Sequence, residues 1–152
     1  MYRTLPYLGL FAATVLLQVF LFDNLSISVY LNPLVYIAFL ILLPFETLPV
    51  VLGVTMDFAM GAAGINTIAT LLVAFLRPTL AGLTCGRENA REGGIPSSGR
   101  LGERVFINYV VVLTLLHHAV FFLLEALSWE HVLHTVVRIV VSSVVTVAFV
   151  WI

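Results

Sequence analysis

The sequence predicts an all-α polytopic membrane protein with six transmembrane helices, and three observations predict it. Of its 152 residues, 61% are hydrophobic and only 10% charged, far from the roughly 45–50% apolar content of soluble domains. Its mean hydropathy is +1.11. Apolar runs recur between short polar links, and a single hydrophilic stretch, 85–103, interrupts them. Seven arginines and eight carboxylates cannot give a core of this size a polar surface, and a net charge of −1 gives no reason to expect nucleic acid.

The first span is 5–22, with Gln18 its one strongly polar side chain and Asp23-Asn24 closing it. Met1-Tyr2-Arg3 before an apolar run resembles a signal peptide, but more apolar runs follow and no small-residue cleavage pattern intervenes, so a retained span is expected. After a link containing Ser26 and Ser28 comes a second span, 31–43, in which Pro33 suits the first helical turn. Pro44-Phe45-Glu46-Thr47 turns the chain into a third span, 48–60, and the fourth is 66–83. The second and third fall short of the roughly 20 residues that cross a bilayer as a lone helix, so neighbours must cover their ends. The glycine-rich 85–103 reads as a solvated connector whose arginines can attract anionic lipid. Spans 104–127 and 131–152 complete a single integral membrane domain, 1–152.

Orientation follows from the arginines. Arg3 precedes the first span, and Arg87, Arg91, Arg100 and Arg104 surround the long connector, whereas the links 23–30, 61–65 and 128–130 have none. The positive-inside rule then places both termini in the cytoplasm.

The stretch from Gly53 to Pro78 organises the chain. Gly53, Asp57 and Gly61 recur every four residues and share a helical stripe on which the glycines admit a neighbouring backbone beside the acid. Ala62-Ala63-Gly64 turns the chain and Asn66 is placed to cap the next helix. Counting about 1.5 Å per residue from the outer turns puts Asp57 and Gln18 roughly 6 Å deep, Glu125 about 5 Å and Arg138 about 12 Å. A charge left in lipid costs at least about 2.5 to 3.5 kcal/mol, so Arg138 is expected to pair with Asp57 or Glu125. Such a cluster either joins helices or shapes an outward groove for a partner or ligand.

His117-His118 lies near the middle of the fifth span, with Glu125 seven residues after His118 on the same face. Adjacent histidines point two ways around a helix and no HExxH spacing occurs, so packing with a shared hydrogen bond is expected rather than metal. No nucleophile elbow, phosphate loop or dinucleotide fingerprint is present, and no enzyme is expected. Cys85 is the sole cysteine, which precludes an intrachain disulfide. Pro78 frees the carbonyl of Ala74, and Arg77 is expected to snorkel to the cytoplasmic headgroups, or else to receive a cytoplasmic partner.

The hairpin G-x-x-x-D-x-x-x-G-x-x-G-I-N with its following L-R-P, Leu17-Gln18, Leu116-His117-His118 and Leu124-Glu125 together resemble the rod shape-determining MreD family, most closely its Bacteroidota branch. The likeness rests on order, spacing and length over nearly the whole chain. It implies a non-enzymatic inner-membrane subunit of the peptidoglycan elongation machinery, without cofactor. The implied partners are an MreC-like bitopic protein and, through it, RodA with its penicillin-binding transpeptidase and MreB. It also implies a fold similar to the six-helix S components of energy-coupling-factor transporters. Gly53, Asp57, Gly61 and Gly64 match its defining positions. In contrast to the family's basic tail, the inside anchor of the last span is expected to be missing or supplied by Trp151 alone.

Three functions compete. A scaffold would dock a partner's transmembrane helix through close approach at small residues, and Asp57→Leu would then weaken assembly more than folding. A small-molecule-binding, S-component-like transporter subunit would use the outer polar cluster as a pocket, and fold alone does not choose between the two. An intramembrane hydrolase using Asp57 or His118 needs a second acid or ligand that the sequence does not supply. The outer links are short and mostly apolar or small, which favours the scaffold.

Overall fold

Where no water reaches the backbone, each amide must find its partner inside the protein, and a helix does this within one segment. All the regular elements among the described residues are helical. The structure, a computed structural model, describes residues 5–24, 30–45, 50–127 and 132–151. Helix α1 (Leu5–Leu16) runs into a π-helical extension, Leu17–Phe22, closed by a hydrogen bond from the Asp23 amide to the Gln18 carbonyl at 2.8 Å. Then come α2 (Ile37–Leu42), α3 (Val50–Met60), α4 (Ile65–Thr84), α5 (Arg87–Arg91), α6 (Ser98–Leu101), α7 (Glu103–Ala126) and α8 (Val132–Trp151).

Three of these, α4, α7 and α8, are long and apolar enough to cross a membrane, while Tyr7–Phe22 and Val51–Met60 are shorter apolar helices. The expected boundaries of the fourth, fifth and sixth spans agree with the observed helices to within a residue or so at each described end. Residues 46–49, with half of the expected Pro44-Thr47 turn, lie outside the described residues, as do Arg3, Ser26, Ser28, His131 and Ile152.

The expected second helical span, 31–43, is corrected: only Ile37–Leu42 is α-helical, and Pro33 lies in the irregular chain before it rather than in a first turn. The segment 30–45 still runs the length of the bundle. Tyr30 stacks on His134 near the start of α8 (ring centroids 4.6 Å apart), and the Phe45 amide donates to the Gly94 carbonyl at the opposite end (3.2 Å). Non-helical chain can cover up to about 3.3 Å per residue against 1.5 Å in a helix, so this short segment reaches where a helix of equal length would not.

This segment is the core. Leu34 to Ile41 are buried, α2 touching α1, α4 and α7, with Leu52 and Met56 of α3 completing the apolar cluster. Around it α3 packs on α4, α4 on α7, and α7 on α8. Phe11 meets Phe39 edge-on at 5.3 Å, and Phe22 meets Phe149 at 5.5 Å, holding α1 and its extension against α2 and α8. Large apolar side chains point outward on several helices, among them Phe58, Phe75 and Leu133, as a lipid-facing surface requires.

The connector 85–103 is also more ordered than a solvated loop. It folds into α5 and α6, and Arg100 ties it together by donating to the carbonyls of Gly93 and Asn89 and approaching Glu92 at 3.5 Å.

The α3–α4 hairpin is built on glycine, but differently at each position. A Cβ on Gly53 would stand 2.6 Å from the Thr67 Cα and 2.9 Å from the Asn66 carbonyl oxygen, so the close approach expected there is real. Gly61 and Gly64 instead have open space around them and serve the turn, at φ of 65° and 94°, which side chains resist. The expectation that Gly61 admits a neighbouring backbone is thereby corrected. Gly53→Ala is expected to cost roughly 1–3 kcal/mol by overpacking, read as a lowered unfolding midpoint in detergent, whereas Gly9→Ala, which meets nothing within 4 Å, should leave it unchanged or raise it.

Candidate functional site

Residues 30–36 leave backbone donors and acceptors unpaired inside the bundle, and side chains from three helices supply the partners. Gln18 donates through Nε2 to the Pro33 carbonyl (3.2 Å) and accepts at Oε1 from the Tyr36 amide (3.3 Å). His118 accepts at Nε2 from the Leu34 amide at 3.3 Å. That amide can only donate, which fixes the imidazole proton on Nδ1, where it bonds the Thr114 carbonyl at 2.9 Å. Ser142 accepts from the Asn32 amide (3.0 Å) and lies 3.4 Å from the Tyr30 carbonyl. Thr146 stands 3.2 Å from His118 Nε2 and donates to the Ser142 carbonyl at 2.9 Å. Gln18 thus sits at the level of His118, near the middle of α7, deeper than counting from the chain turn suggested.

Arg77 does the same at the other end. It is 1% exposed, and the expected snorkelling to headgroups is corrected. Its Nε donates to the Tyr109 hydroxyl (2.8 Å), and its terminal nitrogens donate to the carbonyls of Pro44 (3.0 Å), Ile41 (3.3 Å) and Leu43. These are carbonyls at or beyond the C-terminus of α2, which its own short helix cannot satisfy. The guanidinium also lies 5.6 Å from the Phe45 ring. Pro78, the next residue, remains within α4 and is exposed.

Between these ends the Tyr36 hydroxyl joins Asn66 Oδ1 at 2.7 Å and His117 Nε2 at 3.0 Å, with the rings of Tyr36 and His117 edge-to-face. Among the described residues Asn66 Nδ2, Thr114 Oγ1 and His117 Nδ1 are buried without a hydrogen-bond partner. Asn66 therefore does not cap its helix through its side chain. Asp57 does so from the preceding helix, accepting from the amides of Asn66 and Thr67 at 2.9 Å each and from the Thr67 hydroxyl. A carboxylate on the first free amides of α4 satisfies them and complements the helix dipole.

Of the two partners expected for Arg138, the structure pairs it with Glu125, at 2.7 Å. The guanidinium also lies 4.5 Å from the Phe122 ring. Asp57 and the Glu125–Arg138 pair thus form two separate features, one closing α3 to α4 and one closing α7 to α8. Cys85 is buried just after α4, and burial pushes its thiol above the usual range. Among the described residues no three His, Cys, Asp or Glu side chains converge as metal ligands would.

No protein-family model, curated protein or solved structure matches the chain. Sequence reasoning singled out Gln18, Arg77 and His118 but not their partners. Tyr36, Tyr109 and Ser142 sit in apolar runs, where a hydroxyl was the only signal available.

Arg77→Met is expected to lower stability by at least about 3 kcal/mol, because a buried hydroxyl and several carbonyls each lose a partner worth roughly 1–3 kcal/mol. Denaturant unfolding in detergent measures this. Arg77→Lys should rescue only part of the loss, since an ammonium does not reproduce the planar fork.

Proposed function

We propose that this chain is a non-enzymatic membrane scaffold of the MreD kind, an inner-membrane subunit that binds an MreC-like bitopic protein and supports peptidoglycan synthesis and cell shape. The observation that carries the reading is how the charged groups within the apolar helices are used. Asp57 caps its own hairpin, Arg77 holds its own α2, and Glu125 holds Arg138. None of the three is left facing a reaction centre, and each stiffens a bundle that a partner can use as a platform.

Support for a helical partner comes from the α7–α8 face. A groove of about 510 Å³ runs there, lined almost wholly by apolar groups such as Val111, Leu115, Val140, Val144 and Trp151. Ser143 lines it with a buried hydroxyl that has no hydrogen-bond partner among the described residues. A transmembrane helix gains its affinity in such a groove from close packing and an occasional hydrogen bond. On this reading both termini are cytoplasmic and the chain crosses six times, the second time through 31–43, in an arrangement like that of energy-coupling-factor S components. RodA, its transpeptidase and MreB are reached through the bitopic partner.

A second reading, an S-component-like subunit binding a small molecule, is favoured by one observation. A depression of about 430 Å³ surrounds Asp57, lined also by Val54, Phe58, Gly61 and Thr67. Against it, both Asp57 oxygens already accept hydrogen bonds from α4.

Mild crosslinking of the tagged chain in its native membrane, then affinity purification and mass spectrometry, separates the readings. Recovery of a bitopic coiled-coil protein with the wall synthases is expected, and Val144→Trp in the groove should cut that recovery at least about tenfold without lowering the unfolding temperature. Recovery of a transporter membrane subunit with paired ATPases instead would overturn the scaffold reading.

A further inference from the structure

At the arginine-rich end of the bundle a groove of about 370 Å³ opens between α4 and α5, floored by Pro78, Gly82 and Leu83 and walled by Arg87 and Arg91. Its construction is specific. A Cβ on Gly82 would meet the Arg87 Cγ at 4.0 Å, so the aliphatic stem of Arg87 passes over the glycine. Arg87 and Arg91 are four residues apart and share one face of α5. Glu88 and Glu92 share the neighbouring face, and Glu92 lies 3.5 Å from Arg100. Among the described residues neither Arg87 nor Arg91 forms an ion pair. Two like charges on one helical turn repel each other, and an anion between them relieves that repulsion.

The groove also has an apolar continuation. Leu83 is 76% exposed, and Thr79 and Phe75 follow at four-residue intervals along the same outward stripe of α4, Phe75 being 80% exposed. A cationic mouth beside an apolar track matches a molecule with an anionic head and a hydrocarbon tail. A free phosphate would use only the mouth.

We propose that this groove binds an anionic membrane phospholipid, its phosphodiester between the Arg87 and Arg91 guanidiniums and an acyl chain along Leu83, Thr79 and Phe75. The site lies away from the α7–α8 groove and does not depend on the scaffold reading. Gly82 is the residue that keeps its floor open.

Native mass spectrometry of the full chain in detergent, titrated with phosphatidylglycerol or phosphatidylethanolamine, tests it. Phosphatidylglycerol should bind roughly tenfold tighter or more, and Arg87→Gln with Arg91→Gln should erase that preference, at about 5- to 10-fold per arginine near a membrane surface. Gly82→Leu should weaken both lipids by filling the floor. Arg104→Gln removes an exposed arginine outside the groove and should change neither. A 100-fold excess of glycerophosphate should not displace the lipid. Circular dichroism of each variant checks that the helices remain. A preference that survives the double substitution, an equal loss in Arg104→Gln, or displacement by glycerophosphate would each overturn the proposal, the last in favour of a soluble-anion site.

Discussion

Irregular backbone inside an apolar bundle is tolerable only if every amide and carbonyl finds a partner there, and residues 30–45 impose that constraint on the remaining helices. An unsatisfied buried group costs roughly 1–3 kcal/mol in proteins and more in hydrocarbon. Gln18 from the α1 extension, His118 from α7 and Ser142 from α8 meet the first half of the segment, and Arg77 from α4 meets the second. Each long helix thus contributes a polar side chain whose position is fixed by the same strip of backbone. Ridge-and-groove packing between α4, α7 and α8 alone would allow several registers, whereas these directional bonds select one.

The same economy explains what the surface offers. With Asp57, Arg77, Glu125 and Arg138 engaged by α4, by α2 and by each other, most of the exterior of the long helices is left to apolar contact, with lipid or with another helix. Stiffness and stickiness are therefore segregated. The polar core specifies shape, and the valine-rich face of α8 with the matching face of α7 supplies a surface that gains by being covered.

The three long helices were legible from sequence because each is a sustained apolar run, and the close approach at Gly53 was legible because helical spacing aligned it with Asp57. The α2 segment was not, because a short uninterrupted apolar run reads alike as helix or as buried irregular chain. Arg77 was misplaced for a related reason. Its partners are carbonyls, which every residue possesses and no residue type announces, so a cation near a helix end was read as reaching for headgroups. Asp57 shows the opposite case, in which the residue was recognised and its role was not. The positive-φ turn at Gly61 and Gly64 folds α4 back so that its first amides meet the acid, and that geometry lies in φ angles rather than in residue identity.

Amide hydrogen exchange across 30–45, followed by NMR on the protein in detergent micelles, addresses the central constraint directly. Leu34 and Tyr36 should exchange as slowly as amides in the middle of α7, and His118→Leu should release Leu34, and Gln18→Leu should release Tyr36, while the middle of α7 stays protected. Rapid exchange of both amides in the unmodified protein would mean that water, rather than the surrounding helices, satisfies this segment, and the role assigned to Gln18 and His118 would have to be abandoned.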